Sequence, residues 1–290
     1  MKTILHKSDT RGHANHGWLD TYHTFSFANY HNADRMHFGA IRVLNDDTVA
    51  PGMGFGKHPH DNMEIISIPL SGDLEHKDSM GSVQVIYPGD VGFMTAGKGV
   101  THTERTPSDW RDGRNFNLHG YQIWVALPKE KEAMEPSFDY YPAKELPRWE
   151  AYNCELILVA GNAFGRQAPL QGYSPLFMVD ILAKEDTQLN LKDQMKGEIA
   201  FVIVKGRIVN EGEVVEAGQM LISKTDEECS INLEKGSRLL LFGGAPLTEE
   251  PLLLWNFVSS DKAKLKQAQL DWQNKLFPTV PDDDSYIPFP

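Results

Sequence analysis

Two short stretches carry four side chains able to hold one divalent metal: His58-Pro59-His60 and, 42 residues later, His102-Thr103-Glu104. On an extended strand, residues i and i+2 point to the same face with Cα atoms roughly 6.5–7 Å apart. Each pair can therefore aim two donors at one point. If the two strands lie side by side in a barrel, three imidazoles and one carboxylate converge. Four protein ligands leave two positions open on an octahedral ion, and open positions mean chemistry rather than scaffolding. All eleven histidines lie in the first 119 residues, so any histidine-based centre belongs to the N-terminal half.

Continuing from His58 by twos places Asn62 and Glu64 on the same side, with Ile66 and Ile68 beyond. A carboxylate buried there is costly unless it is paired, protonated or metal-bound. Glu64 thus reads as a fifth ligand, a partner of a ligand, or an acid–base group. Pro59 has no N–H for a ladder, so its strand lies at an edge or is just beginning, which suits a barrel mouth. His13, His16, His23 and His31 are irregularly spaced and read as packing and hydrogen-bonding residues, as do His37, His76 and His119. Trp18, Phe25, Phe27 and Phe55 read as core aromatics, one or two of them lining a pocket mouth.

The elements that must position these side chains are short strands. Apolar and alternating runs at 37–44, 63–70, 82–86, 91–95 and 121–127 are separated by Asn45-Asp46-Asp47, Pro51-Gly52, Ser71-Gly72-Asp73, Pro88-Gly89-Asp90 and Gly97-Lys98-Gly99. Turn signals every 8–12 residues, with no helical pattern between the strands, predict an all-β sandwich or barrel. Residues 130–142 are charged, Tyr-rich and interrupted by Pro, and read as a connector. Strands resume at 155–160, 176–182, 199–209, 218–223 and 238–242. Glu216-Ala217-Gly218-Gln219 precedes a strand much as Tyr87-Pro88-Gly89-Asp90 does, a faint sign of duplication. The chain thus divides into an N-terminal barrel over 1–135 and a C-terminal barrel over 136–290. After Ser260, a plausible N-cap, Leu265, Ala268, Trp272 and Leu276 recur at helical spacing and predict an amphipathic helix over 260–276. The Pro-rich end, with Asp282-Asp283-Asp284, should wrap the surface.

Composition narrows the function classes. Of 290 residues, 41% are hydrophobic and 23% charged, with a net charge of −12. Neither half is basic: 13 Lys+Arg stand against 17 Asp+Glu in 1–135, and 15 against 23 in 136–290. Direct nucleic-acid binding therefore has little electrostatic support. No run approaches the roughly 18–20 apolar residues of a membrane span, and the N-terminus has no long apolar core of a secretory signal. Cys154 and Cys229 are far apart, fit a reduced compartment and read as small buried hydrophobes. A cytoplasmic protein is the simplest reading.

Several motifs together resemble the pirin family. They are Arg11-Gly12-His13-Ala14-Asn15-His16-Gly17-Trp18-Leu19, His23-Thr24-Phe25-Ser26-Phe27-Ala28, Phe55-Gly56-x-His58-Pro59-His60 and Met94-Thr95-Ala96-Gly97-x-Gly99-x-x-His102-x-Glu104. The likeness covers most of residues 1–130. Beyond them it is looser, resting on Phe242-Gly243-Gly244-Ala245-Pro246-Leu247, and it lapses over 252–258, where the family often has a Tyr-Gly-Pro-Phe-like stretch. The resemblance implies a bicupin: two stacked antiparallel barrels of the double-stranded β-helix type, here followed by a C-terminal α-helix. It implies one metal, usually iron, on His58, His60, His102 and Glu104, other first-row ions being alternatives. It also implies a metal-free C-terminal barrel, with Glu64 a neighbour of the metal rather than a ligand. Family members are described as quercetin 2,3-dioxygenase-like. The implied substrates are then a flavonol-like aromatic and O₂, with Glu104 as ligand and catalytic base. The alternative expectation is a metal-loaded module that regulates a transcriptional or metabolic protein partner.

Overall fold

The computed structural model describes residues 3–6, 11–107, 117–210, 212–223 and 230–290. The chain forms two compact units. One comprises residues 12–143 and 247–290; the other comprises 144–246 and the strand Thr3–His6. Each contains one seven-stranded and one four-stranded sheet, and every strand pair is antiparallel.

In the first unit the seven-stranded sheet runs Ser137–Tyr141, Val91–Thr95, Met63–Ser71, Leu118–Ala126, Ile41–Val49, Leu19–His23, Gly12–Asn15. The four-stranded sheet runs Gly54–His60, Val100–Arg105, Leu74–Asp78, Val83–Ile86. Side chains from the two sheets meet inside: Ser67 and Gln122 of the large sheet both reach Glu104 of the small one. The supposed connector is in part structure, because Ser137–Tyr141 pairs with Val91–Thr95. Its alternation Phe138, Tyr140 is that of an edge strand, which Pro136 and Pro142 bound on either side. The strand anticipated at 37–44 lies at Ile41–Val49 instead.

The second unit repeats the topology. Its large sheet runs Thr3–His6, Met220–Ser223, Glu198–Lys205, Arg238–Gly244, Phe177–Ala183, Cys154–Ala160, Arg148–Ala151. The duplication extends to turn detail. Asp90 and Gln219 each donate a backbone N–H three residues back, to Tyr87 and Glu216, and each returns a side-chain oxygen to the N–H of that residue. Gly89 and Gly218 have φ of 90° and 82°, a conformation glycine adopts without strain. The two barrels differ in what fills them. In the second, Leu156 and Leu158, Val179 and Ile181, Phe201 and Ile203, and Leu239 and Leu241 alternate inward to make a continuous apolar core. Each such side chain contributes about 1.5–3 kcal/mol on burial. In the first, many inward positions hold histidines, carboxylates and amides.

The segment 247–290 packs with the first barrel, not with the barrel that precedes it in sequence. A hairpin, Leu252–Leu254 with Phe257–Ser259, leads into the helix Lys262–Gln273. Leu265, Ala268 and Trp272 are buried against Phe257, whereas Leu276 is exposed. The helix has ended by then, at Asn274, and Lys275 takes a positive φ. Asp261, not Ser260, is the N-cap and accepts from the Ala263 N–H at 2.7 Å. Ser260 is occupied with the buried Glu132, donating from both its N–H and its hydroxyl. The final residues run beside Gly54–His60: the Lys57 N–H donates to the Ser285 hydroxyl, and Ile287 donates to the Lys57 carbonyl. Arg105 pairs with Asp283 at 2.6 Å. A covered edge strand is protected from pairing with other chains. Among the described residues, no helix is long and apolar enough to cross a membrane.

Candidate metal centre

His58 and His60 lie on the edge strand Gly54–His60, where the missing N–H of Pro59 is tolerated. His102 and Glu104 lie on its neighbour, Val100–Arg105, with His102 directly opposite His58 and Val100 opposite His60. The register slips between His102 and Glu104, because Glu104 opposes Phe55 and two residues, Gly56 and Lys57, face Thr103 alone. Such a bulge re-aims the side chains around it. Gly54 makes the close approach possible: a Cβ there would sit 2.4 Å from the Arg105 Cα and the Glu104 carbonyl oxygen.

Three imidazoles converge. One ring nitrogen from each of His58, His60 and His102 lies within 4.8 Å of the others, the one such group of three or more metal-capable side chains among the described residues. Ring centroids are 4.3 Å apart for His58 and His102, 5.0 Å for His58 and His60, and 4.9 Å for His60 and His102. All three are buried. Each spends its Nδ1 on a partner: the Gly56 carbonyl at 2.7 Å, the Asn256 carbonyl at 3.1 Å and His76 Nδ1 at 3.4 Å, respectively. The Nε2 atoms of His60 and His102 are buried with no hydrogen-bond partner. Buried polar atoms left so are rare and costly, and a cation shared between them removes the cost. Burial pushes all three histidines below their ordinary pKa, His60 and His102 well below it, with repulsion from His58 adding to the effect on His60 and from His58 and His60 on His102. The rings are therefore neutral near neutrality, the state that offers lone pairs.

Glu104 stands next to this group but outside its 4.8 Å spacing. One carboxylate oxygen lies 3.9 Å from His102 Nε2. Ser67 donates to one oxygen at 3.1 Å and Gln122 to the other at 2.7 Å, and Gln122 in turn accepts from Trp124 Nε1 at 2.9 Å. Trp124 also meets His60 edge to face at 5.0 Å. Glu64 is buried on Met63–Ser71 and does not join the histidine group. The period-two extension from His58 to Glu64 is broken, because the chain turns at Asn62 (φ 57°) and passes from the small sheet to the large one.

A small cavity borders the carboxylate, lined by Asp47, Phe55, Ser67, Glu104, Tyr121 and Gln122 among others. Burial, reinforced by Asp46 and Glu104, pushes Asp47 up to about 7 despite its hydrogen bond from Thr21. Most other histidines serve the fold: His13 meets Asp20, His23 meets Asn45, His37 meets the Gly39 carbonyl and His119 meets Asp46. His76 differs, because it touches His102. Sequence reasoning missed Gln122, Ser67 and Asn256, which lie 18, 37 and 196 residues from the side chains they hold. It also gave no weight to His76 and Asp78, although they repeat the i, i+2 spacing that singled out the other pairs. Cys154 is buried, and burial pushes its thiol up to about 11, as befits a packing residue. Cys229 lies outside the described residues.

Comparison with known proteins agrees with this geometry. Residues 5–125 match the Pirin family and residues 178–278 match the Pirin C-terminal cupin domain. The chain is 35% identical over 243 residues to the quercetin 2,3-dioxygenase of Escherichia coli K12, covering 84% of this chain and 99% of that protein. It is 35% identical over 237 residues to a pirin-like protein of Caulobacter vibrioides, covering 80% of each. Among solved structures, a quercetin 2,3-dioxygenase from Acinetobacter baumannii superposes with a TM-score of 0.85 at 29% identity, over 99% of this chain and 95% of that one. The E. coli bacterial pirin YhhW, solved in complex with nickel(II), gives a TM-score of 0.71 at 32% identity, over 85% and 100%. Repeated barrel topology, a three-histidine cluster in the first barrel, and relatives matched over nearly their full length together make this chain a member of the pirin family.

Proposed function

We propose that the protein is a metal-dependent oxygenase that holds one divalent ion through His58, His60, His102 and Glu104 and cleaves flavonols with O₂, as the name of its quercetin 2,3-dioxygenase relatives suggests. The observation that carries this reading is the convergence of three neutral, buried imidazoles, each with its Nδ1 engaged, beside a carboxylate that borders a cavity. The donor set suits iron, and nickel as well; the nickel(II) complex of the E. coli relative supports a divalent ion. Fe(II) is the proposed working ion, because its partners are an aromatic substrate and O₂.

A metal ion bound there would act as a Lewis acid that acidifies a coordinated hydroxyl, and as a meeting point for substrate and oxygen. The remaining work falls to the chain itself. Glu104 accepts the proton of the flavonol 3-hydroxyl, a general-base role that needs its carboxylate within hydrogen-bond reach of that group. Ser67 and Gln122 hold both carboxylate oxygens in place, and Trp124 holds Gln122. Phe55 and Tyr121 line the cavity with aromatic surface, and at about 40 Å³ this cavity must widen for a flavonol to enter. Burial of the cluster excludes water, which strengthens every electrostatic interaction within it.

The test is oxygen uptake together with decay of the quercetin absorbance, using protein of known iron content. Turnover above that of the same concentration of free Fe(II) supports the oxygenase reading. No excess over free Fe(II) refutes it and leaves a metal-loaded binding module in its place.

A further inference from the structure

We infer that Asp78 and His76 form a proton-ordered chain behind His102, making it the most strongly donating of the three imidazoles and setting the affinity of the centre from outside its ligand shell. The inference rests on the ligand assignment proposed above. His102 Nδ1 lies 3.4 Å from His76 Nδ1, and His76 Nε2 lies 3.1 Å from Asp78 Oδ2. All three side chains are buried. His76 is clamped by Phe138, with rings 4.0 Å apart and 8° from parallel.

One assignment of protons satisfies these contacts and leaves His102 able to ligate. If Nε2 of His102 offers its lone pair to a metal, its proton sits on Nδ1 and is donated to His76 Nδ1. The His76 proton must then be on Nε2, donated to Asp78. The reverse order would put a proton on His102 Nε2, aimed at the other two histidines. Asp78 is built to stay anionic at the end of this chain. Its Oδ1 accepts the N–H groups of Met80 at 2.8 Å and Ser82 at 3.0 Å. Burial alone would raise its carboxyl, but the hydrogen bonds from His76 and Ser82 bring it below its ordinary value.

The other two ligands have no such support. His58 and His60 donate to neutral backbone carbonyls, those of Gly56 and Asn256. Only His102 is coupled, through a second imidazole, to a full negative charge. Outer partners of this kind raise ligand basicity, and their loss typically lowers metal affinity 10–100-fold. Asp78 and His76 lie on Leu74–Asp78, opposite His102 and Glu104 respectively, so the sheet register itself delivers the chain to the ligand.

His76 and Asp78 are thus positioning residues, and full-length protein tests them without recourse to turnover. Apo-protein is titrated with Zn(II) against a chromophoric chelator for the wild type, His76→Leu, His76→Gln and Asp78→Asn. His76→Leu should weaken Zn(II) binding about 10–100-fold. His76→Gln, whose amide oxygen can accept from His102 Nδ1, should recover most of that loss, and Asp78→Asn should fall between. ¹⁵N-histidine NMR of the Zn(II)-loaded wild type should show His102 protonated at Nδ1 and His76 at Nε2. A His76 protonated at Nδ1, or equal affinities for wild type and His76→Leu with matched thermal unfolding of the apo-proteins, overturns the chain while leaving the ligand assignment intact. If the wild type takes up no Zn(II), the ligand assignment fails first and this inference falls with it.

Discussion

His58 and His102 face each other across an antiparallel strand pair, ring centroids 4.3 Å apart, on the small sheet of the first barrel. That one cross-strand pairing turns two local i, i+2 motifs into a single centre: it brings His60 with His58 and Glu104 with His102. Directly opposed side chains on one face of an antiparallel pair are the closest neighbours a sheet offers.

Glu104 is proposed to be both ligand and base, and two substitutions separate the roles. Glu104→Gln keeps an oxygen donor and removes the base. Flavonol turnover should fall by about 10²–10⁴, the range for loss of general acid–base catalysis, with a smaller loss of iron. Glu104→Ala should lose iron as well. Oxygen uptake at matched iron content checks both.

Gln122 links Trp124 to Glu104. Gln122→Leu leaves one Glu104 oxygen and the Trp124 N–H without their partner inside the barrel. An unsatisfied buried group costs about 1–3 kcal/mol, so the midpoint of chemical unfolding should drop correspondingly, and turnover should drop with it. A variant as stable and as active as wild type would show that Glu104 needs no such support.

The C-terminal helix docks through Trp272, which is buried against Phe257 and Phe277 and donates from its indole N–H to the Ile287 carbonyl. Trp272→Ala should cost about 3–5 kcal/mol, as large-to-small core changes do, and lower the thermal midpoint by several degrees. Phe257 adjoins Asn256, whose carbonyl orients His60. A weakening of metal binding alongside the lost stability is therefore expected, and titration of the apo-variant checks it.

Asp61 gives a pH signature. It is buried, its Oδ1 has no hydrogen-bond partner, and burial with repulsion from Glu132 pushes its carboxyl from 3.8 up to about 8. Between those values the folded state holds a proton that the unfolded state has released, so stability falls as pH rises from about 4 to about 8. Asp61→Asn should remove this dependence: its advantage over wild type should be near zero at pH 4 and grow toward pH 8 by up to about 1.4 kcal/mol per pH unit. Unfolding midpoints across that range decide it, and a constant difference between the two proteins would contradict the assignment.

Much of the candidate centre was legible because its side chains come as local pairs on strands, where a spacing of two has one structural meaning. Barrel architecture was legible for the same reason, from turn residues recurring between apolar runs. What could not be read is what comes from far along the chain. Asn256, which holds His60, and Ser285, which caps Lys57, approach the first barrel from beyond residue 247. Nothing local to them signals that destination. Leu276 was misread because apolar spacing persists after the helix stops at Asn274. Glu64 does not continue the period-two run from His58, because Asn62 turns the chain into the other sheet. His76 and Asp78 were visible as a pair, but only the register opposite His102 and Glu104 gives them a use.

The most direct test is metal content after reconstitution. Demetallated protein is incubated with Fe(II) under anaerobic conditions, desalted and analysed for iron and protein, in parallel with a His58→Ala, His102→Ala double variant whose fold is verified by circular dichroism. The account predicts close to one iron per wild-type chain and essentially none in the double variant, residues 144–246 of the second barrel holding no histidine. Wild type that retains no iron, or a folded double variant that retains a full equivalent, would contradict it.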